Sequence, residues 1–135
     1  MANRTFFQDA GSLDKGLRHL YVEFVAGTSG AVPTTRTGYL HTNGIKNVTL
    51  ASTGKYKVHL QDPYLSLADW DVNIEQVTYA NTHGGMVTVA PADITVTDGT
   101  DPSIVFQVRS TDGNGTAVAL TSGDMFSCHL TLRNL

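Results

Sequence analysis

Phe126-Ser127-Cys128-His129-Leu130-Thr131-Leu132 decides the fold. Apolar side chains recur at every second position, and that period belongs to a β-strand with one face buried, not to a helix. Phe126, Cys128, Leu130 and Leu132 therefore share an inward face, while Ser127, His129 and Thr131 point away. In that company Cys128 reads as a small buried hydrophobe and not as a reactive thiol.

The same rhythm runs backward through the chain. Ile104, Phe106 and Val108 form the cleanest earlier row, between Asp98-Gly99-Thr100-Asp101-Pro102 and the strong turn signal Asp112-Gly113-Asn114-Gly115. Val87 with Val89, and Ile94 with Val96, share one phase across an interruption at Pro91. Trp70, Val72 and Ile74 form another row, followed by a change of phase at Glu75-Gln76 that predicts a bulge or bend. Tyr56, Val58 and Leu60 pair through Thr53-Gly54 with Ile45, Val48 and Leu50, a β-hairpin that turns Lys55, Lys57 and His59 outward. Leu20, Val22 and Phe24 begin the series, and Ala117 to Leu120 supplies a short strand near its end. The result is about eight strands at the spacing of an all-β sandwich. The expected architecture is a single-domain antiparallel β-sandwich or jelly-roll-like barrel over residues 17–135, preceded by an extended N-terminal arm over 1–16.

Composition agrees. The 135 residues suit one domain, with 41% hydrophobic and 16% charged residues. Ten Asp against two Glu, and only four Lys, is turn-and-strand chemistry. A formal net charge of -3 gives no basic footprint for nucleic acid. Neither a signal-peptide h-region nor an apolar run of membrane-spanning length is present, so the reading expects no membrane association and synthesis in a cytoplasm.

Chemistry-bearing motifs are sparse. The five histidines (His19, His41, His59, His83, His129) lack metal-ligand spacing, and the Asp-rich turns lack the closing Glu of an EF-hand. Ser122-Gly123-Asp124 lacks the pattern of a nucleophile elbow. The expectation is a protein without cofactor, metal or catalytic residues. Contact surfaces are better candidates. Phe6 and Phe7 lie in an otherwise polar arm and need an apolar pocket, on this domain or on a neighbour. The 27–38 loop is long for a compact domain and carries Val32, Pro33 and Arg36. Tyr64, Trp70 and Tyr79 would form an aromatic glycan platform, against which Trp70 also reads as core beside Val72 and Ile74.

Several segments carry a resemblance as a set: Gly38-Tyr39-Leu40-His41, Val48-Thr49-Leu50, Gly54-Lys55-Tyr56-Lys57-Val58-His59-Leu60 and Asp62-Pro63-Tyr64, then Ile104 to Ser110, Leu120 to Asp124 and Leu130 to Asn134. The series resembles the capsid decoration, or cement, proteins of tailed bacteriophages. The resemblance implies a structural virion protein on the capsid exterior, a homo-trimer that bridges neighbouring major capsid protein subunits and stabilises the shell. No functional residue carries over from the resemblance. The residues themselves point to the 1–16 arm with Phe6 and Phe7, the 27–38 loop with Val32, Pro33 and Arg36, and the strand edges as contact surfaces. The arm and the final strand are ends that a neighbouring chain can order. The alternative is a head-fibre or adhesin domain that binds host-surface glycan, and a tail or connector component is a third reading.

Overall fold

The computed structural model describes residues 16–33, 39–78, 83, 86–110 and 115–135. The expected arm, with Phe6 and Phe7, lies outside the described residues apart from Gly16, as do Arg36 and Tyr79. Nine strands are present among the described residues: β1 (Leu17–Val25), β2 (Tyr39–His41), β3 (Ile45–Ser52), β4 (Lys55–Leu60), β5 (Ser66–Glu75), β6 (Val87–Thr88), β7 (Ile94–Thr95), β8 (Ser103–Val108) and β9 (Met125–Arg133). They form two antiparallel sheets, β2-β1-β9-β5 and β3-β4-β8, the latter extended by β6 and β7 on the free side of β8. The expected all-β sandwich is the fold.

The Phe126–Leu132 stretch, within β9, lies inside its sheet between β1 and β5. β9 pairs β1 along an unbroken ladder from Leu17↔Arg133 to Val25↔Met125. Its other side pairs β5 from Ser66↔Arg133 to Glu75↔Met125. The backbone of β9 is thus satisfied on both sides by its own chain, and Asn134 adds a hydrogen bond to the carbonyl of Gly16. This strand is thus ordered by pairing within its own chain.

Three other expectations shift. The bulge in β5 falls at Ala68, between Leu67 and Asp69. At Glu75-Gln76 the strand simply ends, because the Val77 N–H turns to the Asp124 carboxylate instead of to β9. The row expected on β3 breaks at Leu50, which is 38% exposed. Register shifts at both ends of β3 turn its last residues out of the core. Ala117 to Leu120 makes one bridge, Arg109↔Ala117, and no strand, since β4 already pairs β8 from Ser103 to Gln107. By contrast the Pro91 interruption is as expected: a 3-10 turn, Pro91–Asp93, sets residues 89–93 against residues 105–106 alone.

The two sheets meet on a cluster of rings. Phe24 and Phe126 from one sheet stack at 5.0 Å, each lies 5.5 Å from Tyr56 of the other, and Phe106 packs against both Phe126 (6.3 Å) and Trp70 (5.3 Å). Burial pushes the Cys128 thiol up, as expected for an inert core residue.

A polar clasp closes one end of this core. His83 Nε2 and Asp124 Oδ2 are 2.7 Å apart and both side chains are fully buried. The same carboxylate accepts the backbone N–H groups of Val77 and Thr121, each at 2.9 Å. Burial by itself would push the Asp124 carboxyl up, but these donors together hold it below its ordinary value.

Two outcomes are expected. Phe126→Ala removes a ring from the middle of the aromatic cluster and costs about 3–5 kcal/mol, read from urea unfolding. Because Asp124 titrates lower when folded than when unfolded, its contribution is complete above the unfolded value of about 4 and is lost as pH falls through the folded one. Asp124→Asn should therefore be less stable at neutral pH and show a flatter loss of stability on acidification than the parent protein.

Candidate functional site: a groove beside the β3 edge

The 27–33 segment is fixed from below. It forms a 3-10 turn, Thr28–Gly30, closed by Gly27 N–H to Ala31 O at 2.8 Å. The Tyr56 hydroxyl, buried in the core, donates to Gly30 O at 2.9 Å. Burial pushes that hydroxyl up to about 12, so it stays protonated and remains a donor. Gly30 sits at φ +76°, and a Cβ there would lie 2.5 Å from the Tyr56 oxygen and 3.0 Å from the Leu120 nitrogen. Only glycine fits.

This latch sets Val32 and Pro33 against the edge of β3. Between them lies a groove of about 390 Å³, lined by Ala31, Val32, Pro33, Asn47, Val48, Thr49 and Leu50. Val32, Pro33 and Leu50 give it an apolar wall, and Asn47 and Thr49 a polar one. Among the described residues no hydrogen-bond partner reaches the buried Asn47 side-chain oxygen. Val32 and Pro33 thus lie together on a concave surface.

A chain of hydrogen bonds runs from the groove across the outer face of the second sheet. Thr49 Oγ1 lies 2.9 Å from His59 Nε2, and His59 Nδ1 lies 2.8 Å from Asp101 Oδ1. The other Asp101 oxygen is 2.8 Å from Lys57 Nζ. The turn that delivers Asp101 is held by Asp98, whose carboxylate accepts the N–H groups of Thr100 and Asp101. Lys57 first, and then His59, hold the Asp101 carboxyl down at about 2. A carboxylate can only accept, so His59 Nδ1–H donates to Asp101, and in the neutral ring that tautomer turns the Nε2 lone pair toward Thr49 Oγ1. No local sequence motif marks this group, because its members are separated by ten and forty-two residues. The hairpin signal at Thr53-Gly54 contains part of it: that turn sets Thr49 opposite Lys57 and Asn47 opposite His59, leaving Thr49 and His59 diagonal neighbours.

The outer faces of the two sheets differ in charge. On the first, Asp69, Asp71, Asn73 and Glu75 form an exposed column on β5 beside Thr131, His129, Ser127 and Met125 of β9. Glu23 on β1 adds a further carboxylate, which accepts a hydrogen bond from Tyr21, while Arg133 stands at one end. The second sheet carries Lys46 at the β3 bulge and Lys55 and Lys57 on β4. The glycan platform is not assembled by Tyr64 and Trp70: Tyr64 is buried and Trp70 is half-buried against Phe106. Among the described residues no three His, Cys, Asp or Glu side chains gather at metal-binding range.

No family model, curated protein or solved structure matches this chain. Gly30→Ala should cost about 2–5 kcal/mol, combining the left-handed backbone with the clash on Tyr56. It should also detach the Val32-Pro33 wall, which chemical-shift changes confined to residues 27–33, 45–50 and 56 would register.

Proposed function

We propose that this chain is a structural attachment protein: a decoration protein on the outside of a tailed-phage capsid that bridges neighbouring major capsid protein subunits as a homo-trimer. The observation that carries the reading is the difference in charge between the two outer faces: Glu23, Asp69, Asp71 and Glu75 with Arg133 at one end of the first, and Lys46, Lys55 and Lys57 on the second, where Asp101 pairs with Lys57. Bridging requires one rigid body with at least two distinct contact surfaces. Two differently charged faces on a sandwich locked by the β1-β9-β5 ladder supply that. The Val32-Pro33 groove and the long borders β3 and β5 offer further contacts. A trimer that touches several subunits gains effective concentration for each later contact, so each contact can be individually weak. The attached surface is protein and not DNA, in keeping with the net charge of -3.

Co-sedimentation of the purified protein with undecorated shells tests this. Saturable binding that weakens from low to high salt is expected, together with retention of DNA by decorated particles on heating. Asp69→Asn with Asp71→Asn should weaken attachment about three- to tenfold, the scale of two exposed ion pairs. Shells that pellet without the protein at low salt would overturn the proposal.

A further inference from the structure

We propose that Thr49 is a nucleophile, that His59 is its general base with Asp101 holding the imidazole in place, and that the groove beside Thr49 receives the acyl part of a small carboxylic ester. The inference is independent of the attachment reading, since it rests on the Thr49-His59-Asp101 chain and not on the charged faces.

The order of contacts is the one acyl transfer needs. A hydroxyl becomes a useful nucleophile when a base accepts its proton, and the base works when a third group fixes its tautomer. Here the hydroxyl faces Nε2 at 2.9 Å and the carboxylate faces Nδ1 at 2.8 Å. Burial divides the roles as well. The His59 side chain is only 16% exposed, whereas Thr49 is open to solvent on the rim of the groove. Lys57 holds the second oxygen of Asp101, which prevents that carboxylate from rotating away from His59. The groove volume of about 390 Å³ and its Val32, Pro33 and Leu50 wall suit a short aliphatic acyl chain.

The chemistry balances as a two-step hydrolysis. Thr49 Oγ1 attacks the ester carbonyl carbon as its proton passes to His59 Nε2. The bond from the carbonyl carbon to the alkoxy oxygen breaks, and the departing alcohol takes the proton from His59. Water then attacks the Thr49 acyl ester, giving one proton to His59. That proton returns to Thr49 Oγ1 as the carboxylic acid leaves. No oxidant, reductant or metal enters either step.

p-Nitrophenyl acetate and p-nitrophenyl butyrate, with the full-length protein, provide the test. Nitrophenolate release should saturate with ester and fall at least hundredfold in Thr49→Val, which keeps the side-chain shape and every histidine and lysine. Thr49→Ser should restore it, and His59→Gln should lose it. Thermal unfolding of each variant identifies any that fail to fold. Diisopropyl fluorophosphate should add its phosphoryl group to the peptide that contains Thr49. Equal rates for the parent protein and folded Thr49→Val, or an adduct found only elsewhere, would overturn the assignment.

Discussion

Pairing on both sides of β9 is the constraint from which the rest of the molecule follows. A nine-residue strand with partners along both borders has little backbone left to satisfy, and its inward row of Phe126, Cys128, Leu130 and Leu132 is completely covered. The unbroken β1 register fixes Phe24 against Phe126, and those two rings fix where Tyr56 and Phe106 of the opposing sheet can stack. Because interiors are close-packed, a slip of one residue in β9 would carry this whole row to the solvent side. The position of β4, and with it the candidate site, is therefore set from the far sheet through the aromatic core.

From Tyr56 the same constraint reaches the surface. Its ring belongs to the aromatic cluster and its hydroxyl belongs to the Gly30 latch, so one residue ties the 27–33 loop to the core. His59 lies three positions further along the same strand and faces the other way, toward Asp101. Alternation along β4 thus separates two jobs within one short strand: Tyr56, Val58 and Leu60 hold the sheets together, and Lys57 and His59 organise the outer face.

Strand identity was legible in the sequence wherever one face is buried, because burial imposes the period of two on the residues themselves. Tyr56-Val58-Leu60, Ile104-Phe106-Val108 and the β9 row all follow it. Legibility fails at borders and ends, where a residue's environment is set by what pairs beside it. Leu50 is apolar yet 38% exposed because bulges turn the edge strand outward, and Ala117 to Leu120 has strand composition but finds β8 already paired. The central place of β9 was equally invisible, since alternation reports faces and says nothing about neighbours. The relay was half legible. Hairpin geometry brings Thr49 to His59, but Asp101 arrives through the β4-β8 pairing, a long-range choice that no local pattern encodes.

The proposed chemistry shares the second sheet with one of the two proposed attachment faces and is remote from the other. The carboxylates of Glu23, Asp69, Asp71 and Glu75 lie on the outer face of the first sheet, whereas the groove and Thr49 lie along the border of the second. Docking through the acidic face would leave Thr49 open to solvent. Docking through the lysine face would cover it, since Lys57 shares Asp101 with His59. That sharing places Asp101 between two partners, with His59 on one oxygen and Lys57 on the other, so the lysine face and the Thr49-His59-Asp101 chain are parts of one surface.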